Sequence, residues 1–74
     1  MHTDTLIQMA NQIGAFFEAM PDREEALEGI AMHIKRFWEP RMRREFLAYV
    51  DAGGAAELHA VVAQAVRLHR GLLA

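Results

Sequence analysis

Side chains suited to binding other molecules are concentrated between His33 and Arg44 of this 74-residue sequence. This segment contains the only tryptophan, Trp38, and one of the two prolines, Pro40. It also holds five of the eight basic residues, Lys35, Arg36, Arg41, Arg43 and Arg44. Large aromatic rings and planar guanidinium groups dominate the binding energy of many protein interfaces. The composition therefore indicates an interaction hot spot around Trp38 and its neighbour Phe37.

The basic cluster could also serve a nucleic-acid site or only the chain's own fold. A nucleic-acid site would need base-reading side chains beside the arginines, but residues 40–52 lack asparagine, glutamine and serine. Acidic residues just upstream would also repel a phosphate backbone, so we predict no nucleic-acid partner. The second interpretation is purely structural. Trp38 would then pack into the core, and the arginines would bridge to Glu24, Glu25 or Glu28.

The other reactive residue types do not form a recognisable catalytic or metal-binding pattern. The histidines are His2, His33, His59 and His69, and none lies three or four residues from another, the spacing of a helical metal pair. The chain has no cysteine and no serine, so the common nucleophiles are missing. We therefore predict no catalytic, cofactor-binding or metal-binding residues, and the chain by itself is not expected to be an enzyme.

Composition favours a small protein that needs a partner. A single domain over residues 1–74 has little interior volume, yet 53% of its residues are hydrophobic. The sequence has no cysteine, so no disulfide can compensate for the small core. The absence of cysteine also fits a cytoplasmic location. The apolar runs are too short for a membrane span, so we predict no membrane association. Residues 1–34 have a charge of −5 and residues 35–74 a charge of +3, an asymmetry that suits oriented docking.

Apolar periodicity predicts an all-α fold with four helices, at about residues 6–19, 23–37, 40–52 and 56–72. Thr5 with Gln8 has the form of a capping box for the first helix, with Thr3 and Asp4 as alternative caps. Asp22 is the expected N-cap of the second helix. Pro40 ends the second helix and can open the third. Gly53 and Gly54 stop the third helix, because glycine readily adopts the left-handed cap conformation.

The apolar stripes predict which faces turn inward. The first helix should bury Leu6, Met9, Ile13, Phe16 and Met20, with Ile7, Ala10 and Phe17 widening this stripe. The last helix should bury a seam of Leu58, Val61, Ala65, Leu68 and Leu72. Gly14 and Gly29 lie at similar heights on either side of the turn at Pro21. We predict that the first two helices approach closely at these glycines.

The segment His33–Arg43 resembles the signature of the small delta subunit of NAD-dependent formate dehydrogenases. That family shows a histidine, a few variable residues, Phe-Trp-Asp-Pro-Arg-Met and then a basic residue, and here Glu39 replaces the aspartate. Residues 6–13, followed by Phe16 and Phe17, are similar to the family's N-terminal helix. The resemblance covers nearly the whole chain and is weakest between Ala55 and Ala60.

The resemblance implies an accessory subunit of a cytoplasmic complex that contains molybdenum or tungsten and oxidises formate with NAD. Other subunits of such a complex hold the molybdopterin cofactor, iron–sulfur clusters and FMN, and the catalytic alpha subunit is the expected partner. It further implies a partner-binding patch of Phe37, Trp38, Arg41, Met42 and Arg43, although Met42 could instead belong to the core. The alternative is a free-standing helical adaptor or a homo-oligomer that pairs through the seam of the last helix.

Overall fold

A computed structural model describes residues 3–74 and confirms the all-α fold. The five α-helices are α1 (Thr3–Phe17), α2 (Arg23–Phe37), α3 (Pro40–Asp51), α4 (Ala60–Leu68) and α5 (Arg70–Leu73), with a 3₁₀ turn at Gly54–Glu57. The second and third helices match their predicted bounds closely. No helix within residues 3–74 is long and apolar enough to cross a membrane.

The connection between α1 and α2 is closed by an N-cap. Asp22 lies in an extended backbone conformation, and its carboxylate accepts hydrogen bonds from the backbone N–H groups of Glu24 (2.9 Å) and Glu25 (3.2 Å). These bonds satisfy donors that the first turn of α2 leaves without a partner, which confirms the predicted cap. The predicted cap of α1 is wrong, because α1 already includes Thr3 and Thr5 lies inside the helix.

Helix α2 lies at the centre of the bundle and packs against α1, α4 and α5. Its residues Leu27, Ile30 and Ile34 are almost completely buried. Around them the core contains Leu6, Ile7, Ala10, Trp38, Phe46, Leu47, Leu58, Val61, Val62, Ala65, Val66 and Leu73. A central helix with apolar contacts on several sides lets this short chain surround one core.

The predicted continuous last helix is wrong, because residues 56–72 form three separate elements. Gly53 takes the expected left-handed conformation (φ 109°), and the chain then makes the 3₁₀ turn before α4 begins. At the far end His69, with φ −114° and ψ 29°, leaves the helical conformation and separates α4 from α5. Leu73 is 1% exposed, whereas Leu68, predicted to be buried, is 60% exposed, because α4 buries the face that carries Val62 and Val66.

Side-chain hydrogen bonds hold the irregular segment between α3 and α4 against α1. The Asn11 amide nitrogen donates to the Glu57 carbonyl (3.1 Å), and its oxygen accepts from the His59 backbone N–H (2.8 Å). Tyr49 donates its hydroxyl to the Glu57 carboxylate. This hydrogen bond, with some desolvation and the nearby negative charge, raises the pKa of Tyr49 above its ordinary value. Backbone groups at the start of α4 are thus satisfied by tertiary contacts that periodicity does not encode.

The two helical glycines do permit close approach, but not to each other. A Cβ atom on Gly14 would overlap the side chain of Val62 and lie 3.2 Å from Val61, both on α4. A Cβ atom on Gly29 would lie 2.5 Å from the ring of Phe17. The prediction that Gly14 faces Gly29 is therefore wrong, since one glycine admits α4 and the other admits an aromatic ring.

We expect Gly14→Ala to lower the free energy of unfolding by about 1–2 kcal/mol, because the added methyl group overpacks against the fully buried Val62. Gly71→Ala is the matched control: it is also a helical glycine, and nothing lies within 4 Å of the position that its added methyl group would take. Urea denaturation followed by circular dichroism compares them. Equal stability of the two variants would contradict the close packing of α1 on α4.

Leu73→Ala should cost about 2–5 kcal/mol of stability, the usual range for deleting a buried leucine side chain. Leu68→Ala should change stability by less than about 0.5 kcal/mol, since Leu68 lies mostly in solvent. The same denaturation experiment measures both. The reverse order of effects would contradict the burial of Leu73 and the exposure of Leu68.

Candidate functional site

The bend between α2 and α3 forms where sequence predicts it. Helix α2 ends at Phe37, Trp38 and Glu39 are extended, and Pro40 occupies the first turn of α3. Trp38 is only 4% exposed, and its ring packs edge-on against Phe46 with the centroids 5.3 Å apart. The indole is therefore part of the core, as the structural interpretation of this segment proposed.

Arg43 closes the bend from the side of α3. Its Nη1 donates to the carbonyl oxygens of Trp38 (2.9 Å) and Lys35 (3.2 Å), and its Nε donates to that of Leu73 (3.3 Å). The last carbonyl groups of a helix accept no hydrogen bond from within the helix, so they need donors from elsewhere, such as a guanidinium group. One half-buried guanidinium group thus ties together the end of α2, the bend and the C-terminal helix.

The predicted partner-binding residues divide into two groups. Phe37 is 70% exposed and Arg41 is also exposed, so both can reach another molecule. Trp38 and Arg43 make the internal contacts described above, and Met42 packs against the core while remaining partly accessible. Partner binding by these five residues stays a prediction, and only Phe37 and Arg41 present most of their side chain to solvent.

The arginines near the bend do not bridge to the glutamates at the start of α2. The ion pair found among residues 3–74 joins Arg70 to Asp51, with a shortest N–O distance of 2.6 Å. Arg23, at the start of α2, donates instead to the Gln64 side chain on α4. The alternative in which the basic cluster neutralises Glu24, Glu25 or Glu28 is therefore wrong.

A row of aromatic side chains runs from the end of α1 to the bend, with its outer rings exposed and its inner rings half-buried. We call Phe16, Phe17, His33 and Phe37 the aromatic strip. Ring centroids are 5.1 Å apart for Phe16 and Phe17, 6.3 Å for Phe17 and His33, and 4.7 Å for His33 and Phe37. Phe16 is 73% exposed, which corrects its predicted inward position. The strip borders a groove of about 320 Å³ lined by Gln12, Ile13, Phe16, Phe17 and His33.

Sequence reasoning missed the strip although a signal was present. Phe16 and Phe17 are consecutive, and neighbours on a helix point about 100° apart, so both cannot face one narrow core. His33 and Phe37 are four residues apart and therefore share one face of α2. The predicted apolar stripe included both rings, whereas the structure leaves Phe16 exposed and Phe17 half-buried.

Charge is unevenly distributed around the strip. Four exposed basic residues lie close to Phe37 in the sequence, and we call Lys35, Arg36, Arg41 and Arg44 the basic flank. Residues 35–45 contain five bases and two acids, a net charge of +3. Elsewhere a second groove of about 450 Å³ is lined by Asp22, Glu24, Glu25, Glu28, Leu27, Leu68 and His69. The surface thus has an apolar strip with a cationic end, and a separate acidic groove.

The residues of this chain do not provide the usual ligands of an iron–sulfur cluster or a metal ion. The chain offers no cysteine thiolate for an iron–sulfur cluster. Within residues 3–74 no three His, Asp or Glu side chains converge as a metal site would require. His2, considered above as a metal ligand, lies outside the described residues. The chemistry that this surface supports is recognition of another molecule through aromatic and cationic contacts.

Trp38→Ala should lower the free energy of unfolding by about 3–5 kcal/mol, because it removes a buried ring packed on Phe46. Phe37→Ala, one residue earlier and mostly exposed, should leave stability within about 0.5 kcal/mol. Denaturation of both variants followed by circular dichroism tests this. An unchanged denaturation midpoint for Trp38→Ala would contradict burial of the indole in the core and would favour a role for Trp38 in partner binding.

Comparison with known proteins identifies the family but no individual relative. No curated protein and no solved structure matches the chain significantly. A family model described as the NADH-dependent formate dehydrogenase delta subunit FdsD matches residues 5–66, which include most of α1, all of α2 and α3 with the bend between them, and most of α4. The matched residues span most of the 74-residue sequence and include the Phe-Trp-Glu-Pro-Arg-Met segment. The chain therefore belongs to the FdsD family of formate dehydrogenase delta subunits.

Proposed function

We propose that this delta subunit is a non-catalytic accessory component of a cytoplasmic, NAD-dependent formate dehydrogenase. It would support assembly, cofactor maturation or stability of the catalytic alpha subunit. Membership of the delta-subunit family supports a place in such a complex. The observation on which the accessory role rests is the aromatic strip, because two largely exposed phenylalanines on so small a chain are suited to a protein interface.

In this proposal the redox chemistry belongs to other subunits. Molybdopterin, iron–sulfur clusters and FMN would be held by partner chains; for the iron–sulfur clusters this is supported by the absence of cysteine from this sequence. Its own contribution would be mechanical: burial of its apolar surface stabilises the conformation of the subunit it contacts. Any protein that binds only the folded form of its partner shifts the partner's folding equilibrium in this way.

The rival function is a free-standing adaptor or homo-oligomer that pairs through the seam of the last helix. Leu58, Val61 and Ala65 of that seam are buried in the chain's own core. They are not accessible to a second copy, and Leu68 remains as the one largely exposed member. The rival is consequently less well supported than a heteromeric partner.

The test is to deplete the chain from the cells that make it and to purify the dehydrogenase. We expect less NAD-linked formate oxidation, with a lower yield, cofactor content or thermal stability of the alpha subunit. Restoring the wild-type chain should reverse the loss. A dehydrogenase of normal yield, cofactor content, stability and activity without the chain would refute the accessory role.

A further inference from the structure

We infer that the aromatic strip together with the basic flank is the docking surface for another subunit of the complex, at a segment that presents an apolar side chain followed by carboxylates. This inference rests on the proposed function, since it supplies the contact by which the accessory role would act. The proposed interface leaves out Trp38 and Arg43, whose side chains make internal contacts, and consists of side chains that are accessible to solvent. Of the five predicted partner-binding residues, it keeps Phe37 and Arg41 at the centre.

The apolar half of the partner segment is indicated by the groove. Its volume of about 320 Å³ is enough for one large apolar side chain, and rings of Phe16, Phe17 and His33 line it. Interfaces commonly obtain much of their energy from such an anchor in a desolvated pocket. Phe16 and Phe37 lose water as the partner closes over them, because they are 73% and 70% exposed in the isolated chain.

The acidic half is indicated by charge. Arg36 is on the last turn of α2 beside Phe37, and Arg41 is on the first turn of α3. Neither arginine forms an ion pair within residues 3–74. Guanidinium groups at an interface bind carboxylates with two parallel hydrogen bonds, so the cationic end of the strip selects an acidic partner and sets its direction.

The surface area that a stable interface buries indicates that the aromatic strip and the basic flank must act together. A stable interface buries about 800 Å² on each partner, roughly one sixth of the 4612 Å² accessible surface of the described residues. The four side chains of the aromatic strip are too few to provide this area alone. Two exposed arginines at the bend, Arg36 at the end of α2 and Arg41 on the first turn of α3, would supply further area.

The first experiment replaces the chain in its native complex by tagged variants and measures the amount of dehydrogenase subunits bound per tagged chain. Phe16→Ala combined with Phe37→Ala should reduce recovery at least about tenfold, as expected for loss of aromatic hot spots. Leu68→Ala is the matched control, because it removes a large exposed apolar side chain beside the acidic groove. It should bind like the wild type. Circular dichroism of each purified variant verifies that the helices are intact.

The second experiment tests the basic flank. Arg36→Glu combined with Arg41→Glu should also reduce recovery about tenfold or more, and binding of the wild type should weaken as salt is raised. Arg67→Glu serves as the control, since Arg67 is an exposed arginine on α4 away from the bend. Equal losses for Arg67→Glu would mean that only overall charge matters and would overturn the proposed role of the flank.

The outcomes distinguish failure of this surface from failure of the proposed function. If the wild type recovers the dehydrogenase and all strip and flank variants recover it equally, the surface is wrong while the accessory role stands. If the wild type recovers no dehydrogenase subunit, the accessory role and this surface both fail. If sedimentation shows a wild-type dimer that the Phe16 and Phe37 changes convert to monomer, the strip binds a second copy instead.

Discussion

The contact on which the rest of this fold depends is the closure of the bend between α2 and α3. Pro40 prevents α2 from continuing, which leaves carbonyl groups at its end without partners and turns the chain back toward its core. The Trp38 ring then packs on Phe46, and Arg43 donates to the free carbonyls. Apolar burial and hydrogen bonding thus stabilise the same turn, and neither alone would define its angle.

The same closure links distant parts of the sequence. Through its bond to the Leu73 carbonyl, Arg43 connects the bend to α5, whose leucine enters the core. The family match ends at residue 66, yet the following residues complete the interior of this chain. Arg70 strengthens the connection through its paired hydrogen bonds to Asp51 at the end of α3. Because a small domain has few residues with which to form a core, its last helical turn also contributes a buried side chain.

The internal contacts at the bend determine which side chains stay accessible to a binding partner. The most conspicuous residues of the sequence, Trp38 and Arg43, are occupied by internal contacts. The exposed aromatic surface is instead formed by two helices that meet where Gly29 admits the Phe17 ring. Phe17 fills that space while Phe16 points outward. Close packing of α1 on α2 and exposure of the strip are therefore two consequences of one arrangement.

Sequence alone determined the features that depend on neighbouring residues. The bounds of α2 and α3, the Asp22 cap, the stop at Phe37 and the left-handed Gly53 all follow from local backbone and capping chemistry. The Phe-Trp-Glu-Pro-Arg-Met segment also indicated the family. Tertiary structure decided the rest: which of Phe16 and Phe17 is buried, the helix to which Gly14 packs, the break at His69 and the inward position of Trp38. These depend on contacts between residues far apart in the chain, and helical periodicity gives the direction of a face but not the neighbour it meets.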